Sequence, residues 1–446
     1  MRSRWFIVLY FIALFGTEFF YIEVLGGSLR IYHLLMPVVV LLLIGYVPRL
    51  FESPVFLCLF AFLFANLIAA LVADAPLRAL TSFGLLVANA GIAVSVGLLL
   101  ISGKVDLRTV VRLAVVIALI SVVWGVFQVA AYHLAGIDLA LSPSQELQVQ
   151  GGFSSGFRTE ANAFAKFLNV VFLLAFPTLL ASPNRKRSIL IIATLAAGML
   201  TSFTRSAIYG LAVTLVLALV WYQLKGRLGK AIPRFVLVVL VVAMSVVTFA
   251  HVVDEFNPYA AHKIARFFDP DEILEGESSA YRLMQQGMLW DSFFESDKTF
   301  LVGNGWGQIY FEFAGVEYQV GGSDFAMVLA YGGVFGGLCY VLLMLLSVNS
   351  ARLLARREKD PARIGLYEGA MFALICMAVT GTINSALIAP EFWVTYGIAI
   401  YLGYLVRRQT VRATSGALRP RPQTFLPRPH SEPGGTVSRG NYGRAL

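Results

Sequence analysis

Apolar runs of about 16 to 25 residues recur from Trp5 to Val406, separated by short polar breaks. Each is long enough to cross a hydrocarbon core of about 30 Å as a helix. The runs do not alternate polar with apolar positions, so they do not suit the strands of a membrane barrel. Inside lipid a helix satisfies its own backbone hydrogen bonds. The pattern therefore predicts an all-α polytopic membrane protein with about 12 transmembrane helices, over residues 5–22, 31–47, 54–73, 79–101, 109–135, 161–181, 188–203, 206–223, 232–250, 323–349, 366–388 and 391–406. The first run follows Arg2 and Arg4 as a signal peptide would, but no small-residue cleavage site closes it, so it reads as a retained span.

Composition agrees: 58% of the 446 residues are apolar and 14% are charged, against about 25% charged in a soluble protein. A formal charge of +9 raises the question of a nucleic-acid partner. The excess sits instead in short loops and in the tail after Leu405, where it acts as an orientation signal. Arg2 and Arg4, Lys104 with Arg108 and Arg112, Arg185 to Arg187, Lys225 to Arg234, Arg352 to Arg363, and Arg407-Arg408 fall on one side of the alternation. That side is cytoplasmic by the positive-inside rule, with both termini on it. Cys58, Cys339 and Cys376 lie inside apolar runs without metal-ligand spacing and read as small hydrophobes.

Four regions follow: spans one to nine over 1–250, a large outward loop subdomain over 251–322, spans ten to twelve over 323–406, and a tail over 407–446. Within the large loop, 278–294 reads as an amphipathic helix. The tail is rich in Arg, Pro, Gly and Ser and poor in apolar residues, so it is expected to be disordered and drawn to anionic lipid.

Candidate chemistry gathers at the outer ends of the spans, where unpaired charge is costly. Gly151 to Asn162 leads into the sixth span and carries Arg158, Glu160 and Asn162 within one turn. Its structural alternative is capping, with Thr159 as N-cap, Glu160 in the first turn and Arg158 as an interfacial anchor. Leu200 to Ser206 forms the next outer turn, where Arg205 either reaches lipid phosphate or binds a substrate pyrophosphate. The large loop adds Arg266, Tyr281-Arg282, the Gly303 to Gly307 segment with Trp306, and Gly322-Ser323-Asp324, in which Asp324 could simply cap a helix. His251 and His262 lack a third ligand, so the site is expected to be metal-free.

These pieces, in this order, resemble the O-antigen polymerase and ligase family of bacterial membrane glycosyltransferases, the Wzy and WaaL proteins. The resemblance rests on Gly156 to Asn162, Leu200 to Ser206, Tyr281-Arg282 with Trp290 beyond, Gly303 to Gly307, and Ser323-Asp324 followed by Tyr331-Gly332-Gly333. It runs from about residue 150 to 340. It implies a dozen helices in the bacterial inner membrane, a large periplasmic loop between spans nine and ten, and chemistry without metal or cofactor. The implied substrate is an undecaprenyl-pyrophosphate-linked oligosaccharide, with membrane lipid around it and a chain-length regulator and a flippase as pathway partners. Arg205 and Arg282 become the pyrophosphate contacts, with Arg158 a third. Family ligases carry a His where the span after the long loop begins, and Gly322-Ser323-Asp324 stands here instead. That difference favours a polymerase over a ligase.

On residue types, forked and permanently charged arginines suit the leaving pyrophosphate. Glu160 is the first candidate for the base and Asp324 the second. Asn162, Arg266 and Trp306 are the remaining candidates for holding the substrate. A twelve-span transporter or flippase is the rival class, but transporters concentrate polar residues at the midplane in broken helices.

Overall fold

The computed structural model describes residues 2–16, 20–24, 27–202, 204–227, 229, 232, 233, 236, 240, 277–313, 316–387 and 389–417. Most of the ninth expected span, the histidine pair, Arg266 and the tail beyond 417 lie outside the described residues. The chain divides into a unit of residues 1–407, which holds the candidate site, and one of 408–446.

In chain order the elements are α1 (Arg2–Gly16), β1 (Tyr21–Val24), β2 (Gly27–Arg30), α2 (Ile31–Leu42), α3 (Val47–Leu50), α4 (Pro54–Leu71), α5 (Pro76–Ile101), α6 (Leu107–Ala135), α7 (Pro143–Gln150), α8 (Ala161–Ala181), α9 (Arg185–Thr201) and α10 (Arg205–Leu224). Then come α11 (Glu277–Phe294), α12 (Asp297–Leu301), β3 (Tyr310–Phe313), β4 (Val316–Gln319), α13 (Asp324–Arg357), α14 (Pro361–Ile383) and α15 (Pro390–Ala417). Among the described residues seven helices, α4, α5, α6, α8, α10, α13 and α14, are long and apolar enough to cross a bilayer. The bent pair Ile31–Leu42 and Ile44–Leu50 makes an eighth if it counts as one span.

Several expected spans differ in form. The first, expected over 5–22, ends as a helix at Gly16 and is followed by the antiparallel hairpin β1–β2, so the fold is not purely helical. The second breaks by 67° at Leu43, where the backbone leaves the helical region (φ −114°, ψ 17°). α14 stops five residues before the expected 388, where the chain turns into an extended Asn384. α15 continues as helix to Ala417, past the Arg407 boundary at which the tail was expected to begin.

Helix α8 is the centre of the packing. It is buried around its whole circumference, Phe164 to Pro177 without interruption, the mark of a helix enclosed by others. α14 lies along it, with α6, α9 and α10 also in contact. Close approach of α14 depends on Gly369, where a Cβ would collide with the Leu174 carbonyl of α8, the small-residue packing that membrane helices favour.

Helix α13 is broken at Gly333 (φ 64°, ψ −170°), a conformation only glycine adopts cheaply. At the break the carbonyls of Ala330 and Tyr331 accept from the amides of Asn304 and Gly305, both at 3.0 Å. The glycine-rich segment after α12 therefore docks as backbone onto the kink.

Candidate functional site

Glu160 has an extended backbone (φ −138°, ψ 148°) and is itself the N-cap of α8, with no side-chain capping bond. The cap expected at Thr159 is thus displaced by one residue, and the Glu160 carboxylate stays exposed. The loop before it is fixed by backbone groups: Ser154 N donates to Thr201 O at 3.0 Å, and Phe157 N to Ser121 Oγ at 2.9 Å. Gln145 of α7 donates to the carbonyls of Gly156 (2.7 Å) and Arg158 (3.2 Å).

Arg158 is not an interfacial anchor. Its side chain is 1% exposed, and its Nη2 lies 3.2 Å from Oε2 of Glu391, which is 0% exposed. The guanidinium carbon also sits 4.4 Å from the Phe167 ring centroid. Glu391 occupies the first turn of α15, where the helix dipole favours a carboxylate. Breaking either half would leave an uncompensated buried charge.

Asp324 does not cap α13. Ser323 does, accepting from Ala326 N at 3.2 Å, which frees the Asp324 side chain to turn toward the α14–α15 connection. There Oδ1 accepts from Ser385 Oγ (2.7 Å), Ala386 N (2.8 Å) and Leu387 N (3.2 Å), while Oδ2 accepts from Tyr340 OH at 3.3 Å. The carboxylate is 1% exposed, and Gly381 leaves it room: a Cβ there would run into Oδ2.

Lys166, one and a half turns into α8 and 6% exposed, donates to the Ser385 carbonyl at 2.6 Å. Asp324, Glu391, Arg282 and Glu160 all lie within electrostatic reach of its ammonium. Ser385 is therefore gripped by its hydroxyl from α13 and by its carbonyl from α8.

At the neighbouring helix start, Thr204 is the N-cap of α10 and its Oγ1 donates to Asn162 Oδ1 at 3.2 Å. This ties the first turn of α8 to Arg205, the first residue of α10. Arg282 of α11 is half-buried, and its guanidinium is pushed below its ordinary value, first by burial and then by the positive charge of Arg205. Two cations acting on one another in a partly desolvated place attract an anion.

Asp324, Glu391, Arg282 and Glu160 thus lie around Lys166, with Arg158 paired to Glu391, Arg205 acting on Arg282, and Asn162 bonded to Thr204. Trp306 stands apart from these contacts: it is buried, with its ring centroid 5.3 Å from that of Tyr331, in the packing that seats the glycine-rich segment. Sequence reasoning missed Lys166, Ser385 and Glu391. The signal was available, since an ionisable residue inside an apolar run is a site candidate by default, and both Lys166 and Glu391 lie within the expected spans. Among the described residues no three His, Cys, Asp or Glu side chains converge to hold a metal ion.

No protein-family model matches the chain, and no curated protein matches it.

Proposed function

We propose that the protein is a polysaccharide polymerase of the bacterial inner membrane, joining undecaprenyl-pyrophosphate-linked oligosaccharide units at the periplasmic face. About a dozen spans and two cytoplasmic termini belong to the same proposal. The observation that carries it is a half-buried Arg282 that feels the charge of Arg205 and, like the exposed Glu160, lies within electrostatic reach of Lys166.

In the proposed reaction the acceptor hydroxyl oxygen attacks the anomeric carbon of the donor sugar. The bond from that carbon to the pyrophosphate oxygen breaks, and its electron pair leaves with the pyrophosphate. Arg205 and Arg282 neutralise that charge, and Glu160 takes the hydroxyl proton. A single displacement inverts the anomeric carbon. Asp324 is the weaker candidate for the base, because its oxygens already accept four hydrogen bonds from the chain.

A second reading, a flippase for the same lipid-linked units, draws support from the 67° break between Ile31–Leu42 and Ile44–Leu50 and from the kink at Gly333. Cells lacking the protein separate the two. Loss of a polymerase leaves single lipid-linked units exposed on the periplasmic side, whereas loss of a flippase traps them inside.

A further inference from the structure

The gathered charges fall into an accessible set and an enclosed set. Glu160 is exposed, and Arg205 and Arg282 are partly so. Arg158, Glu391, Asp324 and Lys166 are enclosed by protein and bonded to one another or to a single turn. Glu391 cannot reach an acceptor hydroxyl, being wholly buried against Arg158. Its position is nevertheless closely determined. The turn that delivers it is held at Ser385 by Asp324 and Lys166, at the amides of Ala386 and Leu387 by Asp324, and at the Leu387 carbonyl by Trp393 Nε1 at 2.7 Å.

Only Thr159 separates Arg158 from Glu160. Arg158 and Glu160 thus share one short stretch of backbone, while Arg205 and Arg282 stand on α10 and α11 and are carried by other backbone. We infer that Glu391 is a positioning residue: through Arg158 it sets the place of Glu160, and Asp324 and Lys166 hold Glu391 there by clamping Ser385. This rests on the polymerase reading, with Glu160 as base.

The experiment uses the full chain in lipid nanodiscs, with lipid-linked repeat units as substrate and inorganic pyrophosphate as a binding probe. Glu391→Gln is expected to lower kcat about 100-fold, the scale of an ångström of misplacement. KM and the pyrophosphate Kd should stay within about twofold, because uniform binding is untouched. Glu391→Asp should restore much of the lost kcat. The double variant Arg158→Gln/Glu391→Gln, which leaves no buried charge uncompensated, should match the single variant in kcat while folding normally. An unchanged kcat overturns the inference, and so does a joint collapse of kcat, KM and pyrophosphate affinity, which marks a structural role alone. If the wild-type protein forms no polymer, the polymerase reading is what fails. The anchor is then decided by thermal unfolding of Arg158→Gln, Glu391→Gln and the double variant: losses smaller than additive uphold it, and additive losses overturn it.

Discussion

Arg205→Ala is expected to lower polymer formation about 1000-fold, the scale of removing one preorganised donor from a developing negative charge, while leaving the protein inserted and folded. The stability half follows from where the residue stands. A cation at the first residue of α10 opposes the helix dipole, so its removal does not weaken the helix. Arg282→Ala should behave alike, because the two charges act on one another and so on any anion between them. Glu160→Gln should also abolish polymer, with its loss in kcat, since the exposed carboxylate makes no capping bond that folding would miss. Polymer length on a gel, set beside membrane insertion and thermal unfolding, checks all three. Unchanged polymer from any variant removes that residue from the mechanism.

Asp324→Ala has the opposite profile, a large loss of stability. The substitution strips the acceptor from Ser385 Oγ, the amides of Ala386 and Leu387, and Tyr340 OH, and it leaves Lys166 without that counter-charge. Breaking a buried charged contact of this kind costs about 3–5 kcal/mol. Asp324→Asn keeps an acceptor oxygen for the turn and should lose less. Thermal unfolding of the full chain in detergent measures both. Alanine and asparagine variants as stable as the wild-type protein would show that the turn does not depend on this carboxylate.

The long apolar helices were legible in the sequence because bilayer thickness sets their length: the expected 161–181 coincides with Ala161–Ala181, and 206–223 lies within Arg205–Leu224. Their ends were less so. Asp324 draws residues 385–387 out of helix, and a contact spanning about 60 positions leaves no local trace. The roles of Arg158 and Asp324 were illegible for a shared reason. Each is a plausible cap or anchor within its own segment, and only packing against α15 and the 385–387 turn makes one an ion-pair partner and the other a clamp. Lys166 and Glu391 were missed inside apolar runs, where their rarity was itself the signal. Trp306 stood among the candidates for holding the substrate, but the glycines beside it let the segment press onto the α13 kink and bury the ring.

The most direct measurement of the central claim is purified full-length protein mixed with undecaprenyl-pyrophosphate-linked repeat units, with products sized on a gel over time. A ladder that lengthens by whole repeat units, and that Arg205→Ala abolishes, is the predicted result. Units that remain single with the wild-type protein would contradict it.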